Sequence, residues 1–121
     1  MERLVVGNVV VIKFPFSDLT SFKRRPALIL RKIAGEDFVF CEITANSYEK
    51  TEEVVIKRSD FLHGNLQKES FARFSKLFTG DSSIIEYQIG SLKEVKLNEV
   101  LEKVSAFFKT PRTFSAAPTP L

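Results

Sequence analysis

The chain has 121 residues, 18 basic against 15 acidic side chains for a net charge of +3, one Cys, one His and no Trp. A lone thiol excludes an intramolecular disulfide framework and a Cys-rich zinc site, and a lone imidazole excludes acid–base chemistry built on two histidines. The apolar share of 44% and charged share of 27% are those of an ordinary globular protein, long enough to bury one core.

The opening MERLVVGNVVVIKFPF is apolar but interrupted by Gly7, Asn8 and Lys13, and it lacks a small-residue cleavage site. It reads as a strand and not as a signal peptide. No stretch approaches the roughly 20 apolar residues of a membrane span. A free thiol without a targeting signal points to the cytoplasm.

The β-branched Asn8–Phe14 reads as a buried strand, and Pro15–Arg25, with Pro, Ser, Asp and Thr, as a loop. Pro26–Ala34 is a second strand, ended at Gly35-Glu36-Asp37. Phe38–Thr44 alternates, placing Val39, Cys41 and Ile43 on one face and Phe38, Phe40, Glu42 and Thr44 on the other. Asn46–Thr51 is loop, Glu53–Arg58 a short strand, Ser59 to Gly64 a turn, and Ser70–Phe78 another strand. Leu97, Leu101, Val104 and Phe108, widened by Val100 and Phe107, form the stripe of an amphipathic helix near residues 93–109, closed by Thr110-Pro111. The chain reads as one domain over residues 1–109, with a flexible tail over 110–121.

Charge is unevenly spread. Residues 1–35 carry seven basic and two acidic side chains, a balance of +5, while residues 36–69 sum to −4 and residues 70–121 to +2. The first third has the polarity that a polyanion seeks. Within it, Lys23-Arg24-Arg25 runs directly into Pro26, and the proline holds Arg25 in an extended conformation. The triplet reads either as a solvated basic turn or as a phosphate-binding edge. Thr44, at the end of its strand, reads either as a turn-former or as a site hydroxyl. If the strands carrying Arg25 and Thr44 are hairpin neighbours, the two residues flank its open end and meet at one rim.

The segments GNVVVIKFPFSDLTSFKRRPALIL, FCEITAN and DFLHGNLQKESFARFSKLFTGDSSIIEYQIGSL, in this order, resemble the MazF/PemK family of toxin endoribonucleases from toxin–antitoxin pairs. The resemblance spans roughly residues 7–108. It implies a small, mainly β, SH3-like, partly closed antiparallel barrel of five to seven strands with a C-terminal helix. It also implies a homodimer that cuts single-stranded RNA without metal or other cofactor and is restrained by a cognate antitoxin. By position, the Arg of the family's basic-RP motif is Arg25 and the hydroxyl residue after its I-T strand is Thr44. The Arg of an R-x-D pattern found in some members is Arg73, the third catalytic candidate, with Ser75 standing where the carboxylate would be. That loss keeps a second reading in play, a non-catalytic module on the same barrel that grips protein or nucleic acid.

An arginine is a poor base, so Arg25 would stabilise the phosphorane of RNA cleavage through paired N–H donors. Thr44 would hold the same oxygens or orient the 2′-hydroxyl. Glu42 is the nearby carboxylate that would accept a proton, and His63, beside Gly64, reads as structural or solvated. Lys23, Arg24, Arg73 and Lys76 are the phosphate-contact candidates. Phe16 and Phe22 read either as packing residues or as stacking platforms for unpaired bases.

Overall fold

The computed structural model describes residues 4–15 and 22–111. The tail beyond residue 111 and Phe16 lie outside the described residues, as does the side chain of Phe22. Among the described residues seven strands run in chain order: β1 Asn8–Pro15, β2 Phe22–Lys32, β3 Asp37–Thr44, β4 Glu53–Ile56, β5 Phe61–Gly64, β6 Ser70–Asp81 and β7 Ile85–Leu92. The helix α1 Glu94–Lys109 follows. Three single turns of 3₁₀ helix, Lys50–Glu52, Arg58–Asp60 and Ser82–Ile84, bridge strands.

The strands form one sheet in the order β4-β6-β3-β2-β1-β7-β5, and all of its pairings are antiparallel. It curls into a half-barrel, left open because β4 and β5 are edges with one partner each. Register shifts supply the curl, since an extra residue on one strand bends it and tightens its twist. The largest lies on β6. Cys41 pairs with Leu77 but Glu42 pairs with Arg73, so residues 74–76 have no partner on β3. At the other edge Gly64 pairs with Gly90, and β5 closes tightly on β7 there. A side chain at Gly64 would run into the carbonyl oxygen of Ile89, and Gly64 also has φ +72°.

Alternation along the strands produces two apolar clusters. Val9, Leu28, Leu30, Cys41, Ile43, Val54 and Ile56 face α1 and bury Val100 completely. On the opposite face Val10, Ile12, Ala27, Ile29, Phe38 and Phe40 form a second cluster. There Phe78 stacks on Phe40 and meets the edge of Phe14, with ring centroids 5.1 Å apart in both pairs. Lys96 pins the helix, donating to the Val55 carbonyl at 3.1 Å and lying 3.7 Å from Asp60.

The structure corrects several boundaries. β2 begins at Phe22, so Lys23, Arg24 and Arg25 lie in a strand paired with Phe14, Lys13 and Ile12 rather than in a loop. Ladder bonds to β1 outweigh the loop-forming composition there. The turn expected over Ser59 to Gly64 is a 3₁₀ turn followed by the edge strand β5, which carries His63. Strand β7 adds an element that the chain-order reading did not assign. On α1 Leu97, Leu101, Val104 and Phe107 pack on the sheet, while Phe108 is 68% exposed. At 100° per residue Phe108 shares the stripe of Leu97 and Leu101, but it stands in the last turn of α1 and is left uncovered there.

Candidate functional site

The β2–β3 ladder pairs Ala27 with Glu42. Continued by two residues on each strand, this register sets Arg25 beside Thr44 at the open end of the hairpin. Both residues line a cleft of about 750 Å³. The cleft floor includes Val11, Pro26, Ile43 and Ile89, and its wall is closed by Asn65, Leu66, Gln67, Lys68 and Ser70 from the β5–β6 connection. Four cationic residues, Lys23, Arg24, Arg25 and Lys68, line it, and among the described residues no acidic one does. A second cleft of about 800 Å³ mixes Lys32 with Glu36 and Glu86 and lacks this polarity.

Arg25 is half-buried, and among the described residues its guanidinium has no ion-pair or hydrogen-bond partner. A guanidinium partly stripped of water but left unpaired retains its two-donor fork for an oxyanion. Thr44 is buried and lines the cleft. It forms the turn that its place at a strand end suggested, its hydroxyl donating to the Asn46 carbonyl at 3.0 Å while accepting from the Asn46 N–H at 3.2 Å. This closed turn fixes the rotamer of the hydroxyl. Arg24 is exposed and lies 3.2 Å from Glu86, which Lys13 approaches at 3.9 Å.

Arg73 sits elsewhere. On β6 it pairs across the sheet with Glu42 of β3 and Glu53 of β4. Its guanidinium donates to Glu42 Oε2 at 2.7 Å and lies 4.4 Å from the centroid of the Tyr48 ring. Arg73 does not line the cleft, and neither does exposed Lys76 in the β6 bulge. Glu42 is a buried, ion-paired carboxylate outside the cleft lining, so the proton-acceptor role expected of it does not fit its position. His63 is exposed on β5 and also lies outside the lining. Burial, with the Glu42 charge adding to it, pushes the Cys41 thiol up to about 12. A neutral thiol in the core is no nucleophile.

Several cleft residues, Tyr48, Asn65, Gln67 and Lys68 among them, were not legible as such in the sequence. Tyr48 and Lys68 are exposed on loops, and Asn65 and Gln67 precede Lys68 on the same connection. Their amide side chains were the available signal, but only the folded connection brings them to the cleft of Arg25. Among the described residues no group of three His, Cys, Asp or Glu side chains could hold a metal ion, and no helix is long and apolar enough to cross a membrane.

Comparison with solved structures places this fold among known ones. An endoribonuclease in complex with its cognate antitoxin, from a mycobacterial species, is similar at 14% identity with TM-score 0.69, over 92% of this chain and all of that one. A MazE–MazF structure from Deinococcus radiodurans is similar at 19% identity with TM-score 0.70, over 91% of this chain and all of that one. The Mycobacterium tuberculosis toxin MazF-mt6 is similar at 18% identity with TM-score 0.63, over 85% of this chain and 99% of that one. No curated protein matches the sequence. Residues 6–108 match the model of a family described as PemK-like, MazF-like toxin of type II toxin–antitoxin system. With most of its length matched and the same curled sheet and terminal helix, the chain belongs to the PemK-like, MazF-like toxin family of type II toxin–antitoxin systems.

Proposed function

We propose that this toxin is an endoribonuclease that cleaves single-stranded RNA by metal-independent transesterification and is held in check by a cognate antitoxin. The observation that carries the reading is the Arg25 fork beside Thr44: among the described residues it has no partner, and it shares its cleft with three further cations. Similar structures described as an endoribonuclease, one of them bound to its antitoxin, support it. The protein works in the cytoplasm as a homodimer, and exposed Leu62, Val95 and Phe108 offer apolar surface for subunit or antitoxin contacts.

In the reaction, the 2′-oxygen attacks the adjacent phosphorus as its proton is lost. The P–O5′ bond breaks as the 5′-oxygen gains a proton, leaving a 2′,3′-cyclic phosphate and a 5′-hydroxyl. The phosphorane between these steps bears extra negative charge. Arg25 meets that charge with two parallel N–H donors already in place, so little reorganisation is needed as it develops. The Thr44 hydroxyl, its proton committed to the Asn46 carbonyl and one lone pair taken by the Asn46 N–H, keeps a second lone pair to accept from and orient the 2′-hydroxyl. Lys23, Arg24 and Lys68 track the flanking phosphates. Arg73, neutralised by Glu42, acts by position and not at the phosphorus.

Incubating the purified protein with a long RNA in EDTA tests this. Discrete fragments ending in cyclic phosphate, absent with Arg25→Ala, are the expected result. Intact RNA at high protein concentration would favour the non-catalytic binding module, which the Ser75 position keeps as the second reading.

A further inference from the structure

The loop after β3 carries an exposed aromatic on an unusually well-anchored backbone. Tyr48 is 63% exposed at the cleft edge, where burial cannot hold its ring. The Glu53 carboxylate holds the loop instead, accepting from Ser47 Oγ at 2.6 Å, the Tyr48 N–H at 2.7 Å and the Glu49 N–H at 3.0 Å. The ring is held separately, by the Arg73 guanidinium 4.4 Å from its centroid. Arg73 in turn is fixed by Glu42 at 2.7 Å. Glu42, Arg73 and Glu53 thus form a row across β3, β6 and β4 whose outer end holds this loop. An exposed tyrosine side chain ordinarily samples several rotamers; here one face is covered by a planar cation, and the rest stays open beside the anion-binding cleft.

From this we infer that Tyr48 is the base-stacking platform of the cleft, taking an unpaired nucleobase of the RNA strand whose phosphate lies at Arg25. The inference rests on the proposed RNA-cleaving function. Stacking suits the position because every base has an apolar π-face and a single strand leaves it uncovered. The Arg73 cation on one face of the ring and a base on the other complete a three-layer stack. Arg73 and Glu53 are positioning residues for it, which accounts for a half-buried ion pair next to the cleft but outside its lining.

The chain lacks tryptophan, so Tyr48→Trp introduces a single indole fluorophore at the site. The probe is a mixed-sequence RNA 12-mer with 2′-O-methyl riboses, which binds but cannot be cleaved. Its titration should quench the emission of the introduced indole saturably, and polyglutamate should not. With cleavable RNA, Tyr48→Ala should raise KM on the order of tenfold, with kcat at saturation within about twofold, while Tyr48→Phe stays near wild type. Glu53→Gln should raise KM in the same direction but less. Wild-type KM in Tyr48→Ala, with RNA still cut, overturns the inference alone. Quenching by polyglutamate and not by RNA overturns it in favour of an acidic protein partner. Absence of RNA binding and cleavage by the wild-type protein overturns the inference together with the function on which it rests.

Discussion

Two arginines flank β3, and the neighbouring strand residues give them opposite roles. Arg25 on β2 lies beside Thr44, a neutral hydroxyl whose proton is already committed to its own turn. Arg73 on β6 lies opposite Glu42, two residues earlier on the same face of β3, and donates to it at 2.7 Å. Among the described residues one guanidinium is left without a partner, open to an external anion, and the other is neutralised by a carboxylate of the chain. An arginine's chemistry is thus set by what stands across the ladder from it, because a carboxylate at contact distance fills the donors that a phosphate would need.

The sharpest way to break this contrast is to shorten the fork. Arg25→Lys should lower the cleavage rate at saturating RNA by about 10²–10³, roughly 2.7–4 kcal/mol, and leave the urea midpoint nearly unmoved. Near wild-type cleavage by this variant would mean that Arg25 serves as a point charge holding backbone phosphates. The matching change at the other arginine should show in stability instead. Arg73→Met leaves Glu42 buried without its partner, so urea denaturation should report a loss of about 3 kcal/mol. Adding Glu42→Gln should recover part of that loss.

Smaller effects sharpen the boundary between the two regions. Thr44→Val removes both bonds to Asn46 and should cost about 1–2 kcal/mol in stability as well as slowing cleavage, whereas Thr44→Ser should be mild. On the Glu53 side, desolvation works to raise the carboxyl, but hydrogen bonds from Ser47, Glu49 and Tyr48 and the charge of Arg73 together outweigh it and lower the pKa from 4.5. A depressed carboxylate stabilises the fold above its unfolded pKa and loses that contribution as pH falls through the folded value. The difference in melting temperature between wild type and Glu53→Gln should therefore close in acid below pH 4.5. Finally, Lys68→Ala should lower the salt dependence of RNA binding by about 0.7 in log–log slope, one phosphate contact on a single strand. Lys76→Ala, outside the cleft, should leave that slope unchanged.

Much of this was legible in the order of residues. The alternation of Phe38–Thr44 and the stripe from Leu97 to Val104 specified a strand and a helix that the structure contains. Pro26 marked Arg25 as extended, and the short connection between the two strands implied that Arg25 lies near Thr44. Strand β5 was illegible because Phe61–Gly64 is short and exposed after its first residue, so its pattern matches a turn. Lys23-Arg24-Arg25 looked like loop because charge, not alternation, dominates the segment.

By itself the sequence determined the β-rich class, the terminal helix, the basic edge and the place of Arg25 and Thr44 at one end of a hairpin, since each follows from local periodicity or from strands adjacent in the chain. Tertiary structure alone decided the rest. The three-residue slip in β6 pairing sets Arg73 against Glu42, and a different register would have left both side chains without that partner. The same folding brings Lys68, more than forty residues from Arg25, to the cleft that Arg25 lines. Contacts of this kind depend on bulges and loop closure, which leave no period along the chain.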